Sequence, residues 1–127
     1  MNNPIVWDNS GTPIATRFDD PYYSIRNGYA ETMHVFLEGN DLPQRFAAAH
    51  HFHIAELGFG TALNFAATLS CWHRHAQRGA ALTYTSFELY PLDVPTICRA
   101  LAPWPDLLAI VEPFIVQLGD QKEGWHL

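Results

Sequence analysis

The sequence predicts an α/β fold: half of a doubly wound parallel sheet, preceded by a β-hairpin and a helical extension. Three observations lead there. A Gly-x-Gly turn, Gly58-Phe59-Gly60, follows an apolar stretch containing Phe52 and Ile54 and opens a helical pattern. A β-branched and aromatic segment, Leu82 to Phe87, comes after that pattern, so the order strand, loop, helix, strand implies a βαβ unit with parallel strands. The chain is 127 residues long and 48% hydrophobic, one domain's worth of material. Two parallel strands and about four helices make only half of a doubly wound sheet, so the chain reads as the front part of a larger domain. Residues 1–49 are expected to form the hairpin and helical extension, and 50–127 the first half of a nucleotide-cofactor domain.

Taken in order, Ile5-Val6-Trp7 and Thr12-Pro13-Ile14-Ala15 flank the turn formers Asp8-Asn9-Ser10-Gly11, a hairpin signature. Arg17 to Ser24 is too aromatic for a solvated linker and too broken for a helix, so it is read as a covering loop. Met33, Phe36 and Leu37 fall at helical spacing in a segment from Tyr29 to Leu37, which Gly39-Asn40 ends. A short helix is expected over 42–49. After the glycine turn, Ala62, Phe65, Ala66, Leu69, Trp72 and Ala76 mark one helical face, with His73, Arg74, His75 and Arg78 closing it before Gly79. Leu82 to Phe87 is the second strand, ending at Glu88. Asp93 is placed to cap a helix from Val94 to about Leu101, with Pro95 tolerated in its first turn. Pro103-Trp104-Pro105 is expected to break it, and a further helix to run from Asp106 to about Leu118.

The glycine turn carries the chemistry. Glycines let a backbone approach a ligand, and the following helix directs its first amides at the bound group. The dinucleotide fingerprint requires a small residue three places after the second glycine, where this chain has Leu63. Glu56, two residues before Gly58, would repel a pyrophosphate but favour the ammonium and sulfonium of S-adenosylmethionine. That cofactor is therefore expected, with Glu88 at the next strand end offering two acceptors to a ribose diol or standing as a solvated acid.

Other chemistries find less support. A net charge of -6 gives no electrostatic footprint for nucleic acid, which leaves any RNA contact to a local patch. His50, His51, His53, His73 and His75 match no zinc spacing, and no metal is expected. Cys71 and Cys98 fall in predicted helices and read as reduced, packed thiols. There is no Gly-x-Ser-x-Gly elbow. Phe18, Tyr22, Tyr23 and Tyr29 either stack on an adenosine or base, or form a small core under the hairpin. No secretory signal and no spanning apolar run are seen, so a cytoplasmic protein without membrane contact is expected.

An ordered series of segments resembles the methyltransferase domain of the MnmC family, which acts on modified wobble uridine in tRNA. The series comprises Gly11-Thr12-Pro13, Phe18-Asp19-Asp20-Pro21-Tyr22-Tyr23-Ser24, Asn27-Gly28, Glu31-Thr32, Val35 to Asn40, Arg45-Phe46, Glu56 to Phe65 and Ser86 to Leu92. The resemblance implies an incomplete Rossmann-like class I methyltransferase fold and methyl transfer from S-adenosylmethionine to the exocyclic amine of 5-aminomethyl-2-thiouridine. It implies tRNA as substrate and, in many bacteria, a fused flavin-dependent oxidase domain. By resemblance Glu56, Gly58, Phe59, Gly60, Thr61 and Asn64 cradle the methionine end and Glu88 the ribose. The loop containing Tyr22, with Glu31 and Asn40, lies near the cofactor or the target amine. No residue is assigned a catalytic role.

Two departures stand out: Ala62 where the family usually has glycine, expected to lie harmlessly in a helix start, and Leu89 where a basic residue often follows the ribose acid. The family's later strands would lie beyond Leu127, so weak or absent activity is expected. The alternatives are a nicotinamide- or flavin-binding module of the same pathway, a methyltransferase for another small amine or a protein substrate, and a non-catalytic fragment.

Overall fold

The computed structural model describes residues 5–7, 9, 13–15, 20–21 and 28–117. Strands β1 (Ile5–Trp7) and β2 (Pro13–Ala15) pair antiparallel with Val6 opposite Ile14, as the turn formers between them require. A two-residue strand β3 (Asp20–Pro21) adds to the free edge of β2, inside the segment expected to be loop. Its proline suits an edge strand. The guanidinium of Arg99 lies 4.2 Å from the Trp7 ring centroid and ties β1 to the helices that follow.

The helix expected from Tyr29 to Leu37 is wound differently. One α-turn, α1 (Gly28–Glu31), passes into a π-helical segment, Thr32–Leu37, and then a 3-10 turn, Glu38–Asn40. In a π-turn residues five apart stack, which puts Thr32 and Leu37 together on the buried face. Asp41, left-handed at φ 53°, redirects the chain into α2 (Leu42–Ala48), whose Pro43 lies in the first turn.

Strand β4 (His51–Leu57), helix α3 (Leu63–His75) and strand β5 (Ala81–Phe87) form the expected βαβ unit, with β4 and β5 parallel and Ile54 opposite Tyr84. Burial alternates along β4, with Ile54 and Glu56 inside and His51, His53, Ala55 and Leu57 outside. Helices therefore cover one face of this sheet, and the other is open among the described residues. Ala62 is not inside α3. It precedes the helix as its N-cap, left-handed at φ 69° and fully buried, because the chain must reverse between the glycine turn and the helix.

Asp93 caps α4 (Val94–Leu101) by accepting a 2.9 Å bond from the Thr96 amide. The expected break after Leu101 is present, and helix α5 (Pro105–Ile115) begins one residue earlier than expected, with Pro105 in its first turn and Pro113 inside it. It ends before the expected Leu118, which lies outside the described residues.

Helix α3 is the centre of the core. Leu63, Ala66 and Leu69 meet Ile97, Leu101, Leu107, Val111 and Ile115 of α4 and α5. On its other side Ala67 and Cys71 meet Leu37, Leu42, Phe46 and Ile54. Phe46 stacks edge-on against Phe52 and Trp72, with centroids 5.1 and 5.0 Å apart. The Gln77 side chain donates to the Ala47 carbonyl at 2.8 Å and fastens α2 to the end of α3.

Candidate cofactor site

Where β4 ends, the backbone leaves the sheet through two left-handed glycines, Gly58 at φ 87° and Gly60 at φ 56°. A methyl group at Gly58 would touch nothing within 4 Å, so the demand for glycine there is conformational and the space beside it is open. The loop is tied to the end of β5 at two points. The Gly58 amide donates to the Phe87 carbonyl at 2.7 Å, and the Gly60 amide to Glu88 Oε1 at 2.9 Å. Glu88 Oε2 accepts from the Tyr90 amide at 3.2 Å. Each carboxylate oxygen retains a lone pair, so Glu88 joins strand and loop with capacity left over.

Between this loop and the α1 and π-helical segment lies a cleft of about 330 Å³. The size is near the lower end of small-molecule sites. Glu31, Gly58, Phe59, Gly60, Thr61 and Asn64 line it, together with Gly28, Thr32, Val35, Phe36 and Leu63. The start of α3 reaches the cleft through Leu63 and Asn64, so the first amides of that helix lie at its edge.

Glu56 sits beneath the loop and is only 7% exposed. Its Oε1 accepts from Ser86 Oγ at 3.1 Å, and its Oε2 is buried without a hydrogen-bond partner. The Tyr84 hydroxyl is likewise buried and partnerless by geometry, yet the two groups lie near enough to alter each other's proton affinity. Burial pushes the Glu56 pKa up; Tyr84, Asn64 and Ser86 pull it down, and the Glu88 charge raises it further. Burial, then the Glu56 charge, lifts the Tyr84 hydroxyl above the ordinary tyrosine range.

The remaining candidates fall elsewhere. Asn40 does not line the cleft; its side chain donates to the Phe36 carbonyl at 2.7 Å, and its backbone carbonyl accepts from the Arg45 guanidinium at 3.2 Å, closing the 3-10 turn. Tyr22 lies outside the described residues. Among the described residues no group of three or more His, Cys, Asp or Glu is placed to share a metal ion. His51 instead bonds Thr83 Oγ1 at 2.9 Å and packs its ring 4.2 Å from that of His53. Both cysteines are free, and burial raises their thiol pKa values. No described helix is long and apolar enough to cross a membrane.

Sequence reasoning missed Tyr84 and Ser86. Strand alternation puts them on the same side as Glu56, but only the register of two strands some thirty residues apart sets them beside it.

No protein-family model matches the chain. It is 45% identical over 127 residues to "tRNA 5-methylaminomethyl-2-thiouridine biosynthesis bifunctional protein MnmC" of Aeromonas hydrophila, an alignment covering 94% of this chain and 19% of that protein. The protein of the same name from Caulobacter vibrioides is 39% identical, covering 98% of this chain and 21% of the relative. The chain thus spans about a fifth of the length of the curated relatives it matches. The crystal structure of MNMC2 from Aquifex aeolicus superposes with a TM-score of 0.60 at 20% identity, over 94% of this chain and 38% of that one, a likeness of fold alone. Over nearly its whole length, then, the chain is similar to one stretch of the longer proteins named MnmC.

Proposed function

We propose that the chain carries the cofactor-cradling part of an S-adenosylmethionine-dependent methyltransferase acting in tRNA wobble-uridine modification. The observation that carries this reading is the loop with an acid on either side: left-handed Gly58 and Gly60, buried Glu56 beneath, and Glu88 bonded to the Gly60 amide. The residues present fit the group. Glu56 places a carboxylate beneath the loop with no cation acting on it, a charge that suits a cationic ligand and opposes a pyrophosphate; neither Glu56 nor Glu88 lines the cleft directly, and both act from behind the glycine turn. Open space beside Gly58 lets a ligand lie against the backbone.

When bound, S-adenosylmethionine supplies an electrophilic methyl group for an amine acceptor. The chain's own residues then bind and orient: Glu56 and the loop amides hold the charged methionine end, and Glu88 turns its remaining lone pairs to a ribose diol. Phe59 and Leu63 keep the cleft wall apolar, while Glu31 adds a carboxylate across from the loop. In this reading residues 50–127 are the first half of a Rossmann-like domain, and 1–49 an extension whose helices wall the cleft. The relatives' name supports tRNA as the substrate and, being bifunctional, a second catalytic unit such as a flavin-dependent oxidase. A tRNA substrate implies a cytoplasmic setting.

The test is calorimetric titration of the 127-residue chain with S-adenosylhomocysteine, against NADH as control and Glu88→Ala as a second sample. Saturable binding of S-adenosylhomocysteine, absent with NADH and weakened at least about tenfold in the mutant, is expected for a charge-assisted contact. Preference for NADH, or no binding by the folded chain, contradicts the reading.

A further inference from the structure

Ile54, Glu56, Tyr84 and Ser86 share the face of the β4–β5 pair that α3 covers, because the strands are parallel with Ile54 opposite Tyr84 and Glu56 opposite Ser86. Glu56 is bonded on one oxygen only, to Ser86. Its second oxygen and the Tyr84 hydroxyl are buried on adjacent strands, and neither has a partner. The two needs are complementary, since the hydroxyl has a proton to donate and the carboxylate oxygen has lone pairs to accept it. The Tyr84 ring is already fixed by an edge-on contact with Phe65, centroids 4.9 Å apart.

We propose that Tyr84 is a positioning residue for Glu56: its hydroxyl donates to Oε2 and, with Ser86 on Oε1, holds the carboxylate in one orientation beneath the glycine loop. The groups acting on Glu56 are Tyr84, Ser86 and Glu88 from β5 and its end, and Asn64 from α3, with no cation among them. The carboxylate's charge is therefore stabilised by neutral donors alone, against its burial and the like charge of Glu88. Removing one donor must make Glu56 harder to ionise. What that charge is for rests on the methyltransferase reading; the Tyr84 bond does not.

The first arm needs no ligand. In the wild-type chain and in Tyr84→Phe, which keeps the ring against Phe65, the Glu56 side-chain carboxyl is followed by carbon-13 NMR through a pH titration. Its midpoint is expected to rise in Tyr84→Phe, and to rise also in Ser86→Ala. A midpoint unchanged or lowered in a folded Tyr84→Phe overturns the proposal. If Tyr84→Phe does not fold, the wild type decides: the Tyr84 ring carbon bearing the hydroxyl must shift as Glu56 titrates, and a flat resonance overturns it.

The second arm measures S-adenosylhomocysteine affinity against pH. Tyr84→Phe is expected to bind several-fold more weakly near the Glu56 midpoint and to recover at higher pH, where a merely structural defect would weaken binding at every pH. Wild-type chain that shows the NMR coupling but binds no S-adenosylhomocysteine sinks the methyltransferase reading and leaves the Tyr84 bond standing.

Discussion

Glu56 is held where its charge is disfavoured, and this makes stability depend on its proton. Burial raises its pKa above the ordinary 4.5, so the folded chain binds that proton more tightly than the unfolded chain does. The stabilisation it contributes is fully present below the unfolded value and is lost as pH rises through the raised folded value. Glu56→Gln has no proton to lose. Its thermal midpoint is expected to exceed that of the wild type at neutral pH, with the gap closing as pH falls toward 4.5. Melts followed by circular dichroism over that range check it, and a gap independent of pH contradicts it. Ala62 shows a different cost: an L-residue in the left-handed region gives up roughly 1–2 kcal/mol. The sequence shows the substitution for glycine, but not that the position needs a positive φ.

Among the elements, α4 is the most fully determined by local sequence. Asp93 and Pro95 define its start, and its cap bond forms as expected. Asp93→Ala is expected to lower stability by about 1 kcal/mol in urea unfolding, with Asp93→Asn retaining most of it. The bond to Thr96 holds the Asp93 carboxyl below its ordinary 3.8, so its contribution is present above that value and fades as pH falls through the lowered one. The mutant's deficit should therefore shrink in acid. β4 and β5 were equally legible, from the apolar Phe52 and Ile54 ahead of the glycine turn and from the β-branched and aromatic content of Leu82 to Phe87. The segment 29–37 was not. Its residues suit an α-helix, and the choice of π winding depends on burying Thr32 and Leu37 together against α3, a tertiary demand that spacing does not carry.

At the scale of the molecule, the acid and glycine loop were readable as a site because the strand-turn-helix context is local in sequence. Of the cleft's second wall the family resemblance supplied only Glu31, while Val35 and Phe36 reach it through packing of the N-terminal helices, which the sequence does not carry. The sheet also carries a liability. Parallel sheets are ordinarily covered on both faces, yet Leu57 is 89% exposed and Phe87 47% exposed on the open one. Replacing both with threonine is expected to change stability by no more than about 0.5 kcal/mol and to reduce light scattering of concentrated solutions. Undiminished scattering would place any self-association elsewhere. The β4–β5 pairing has a further consequence in time. It joins residues about thirty positions apart across α3, so it closes later than any single helix forms. The glycine wall of the cleft is tied to the end of β5 through the Phe87 carbonyl and Glu88, so that wall is set only once the strands have paired. A ligand of the cleft therefore draws the folding equilibrium toward the finished state alone, and protection by ligand against proteolysis would report completion of the last long-range pairing.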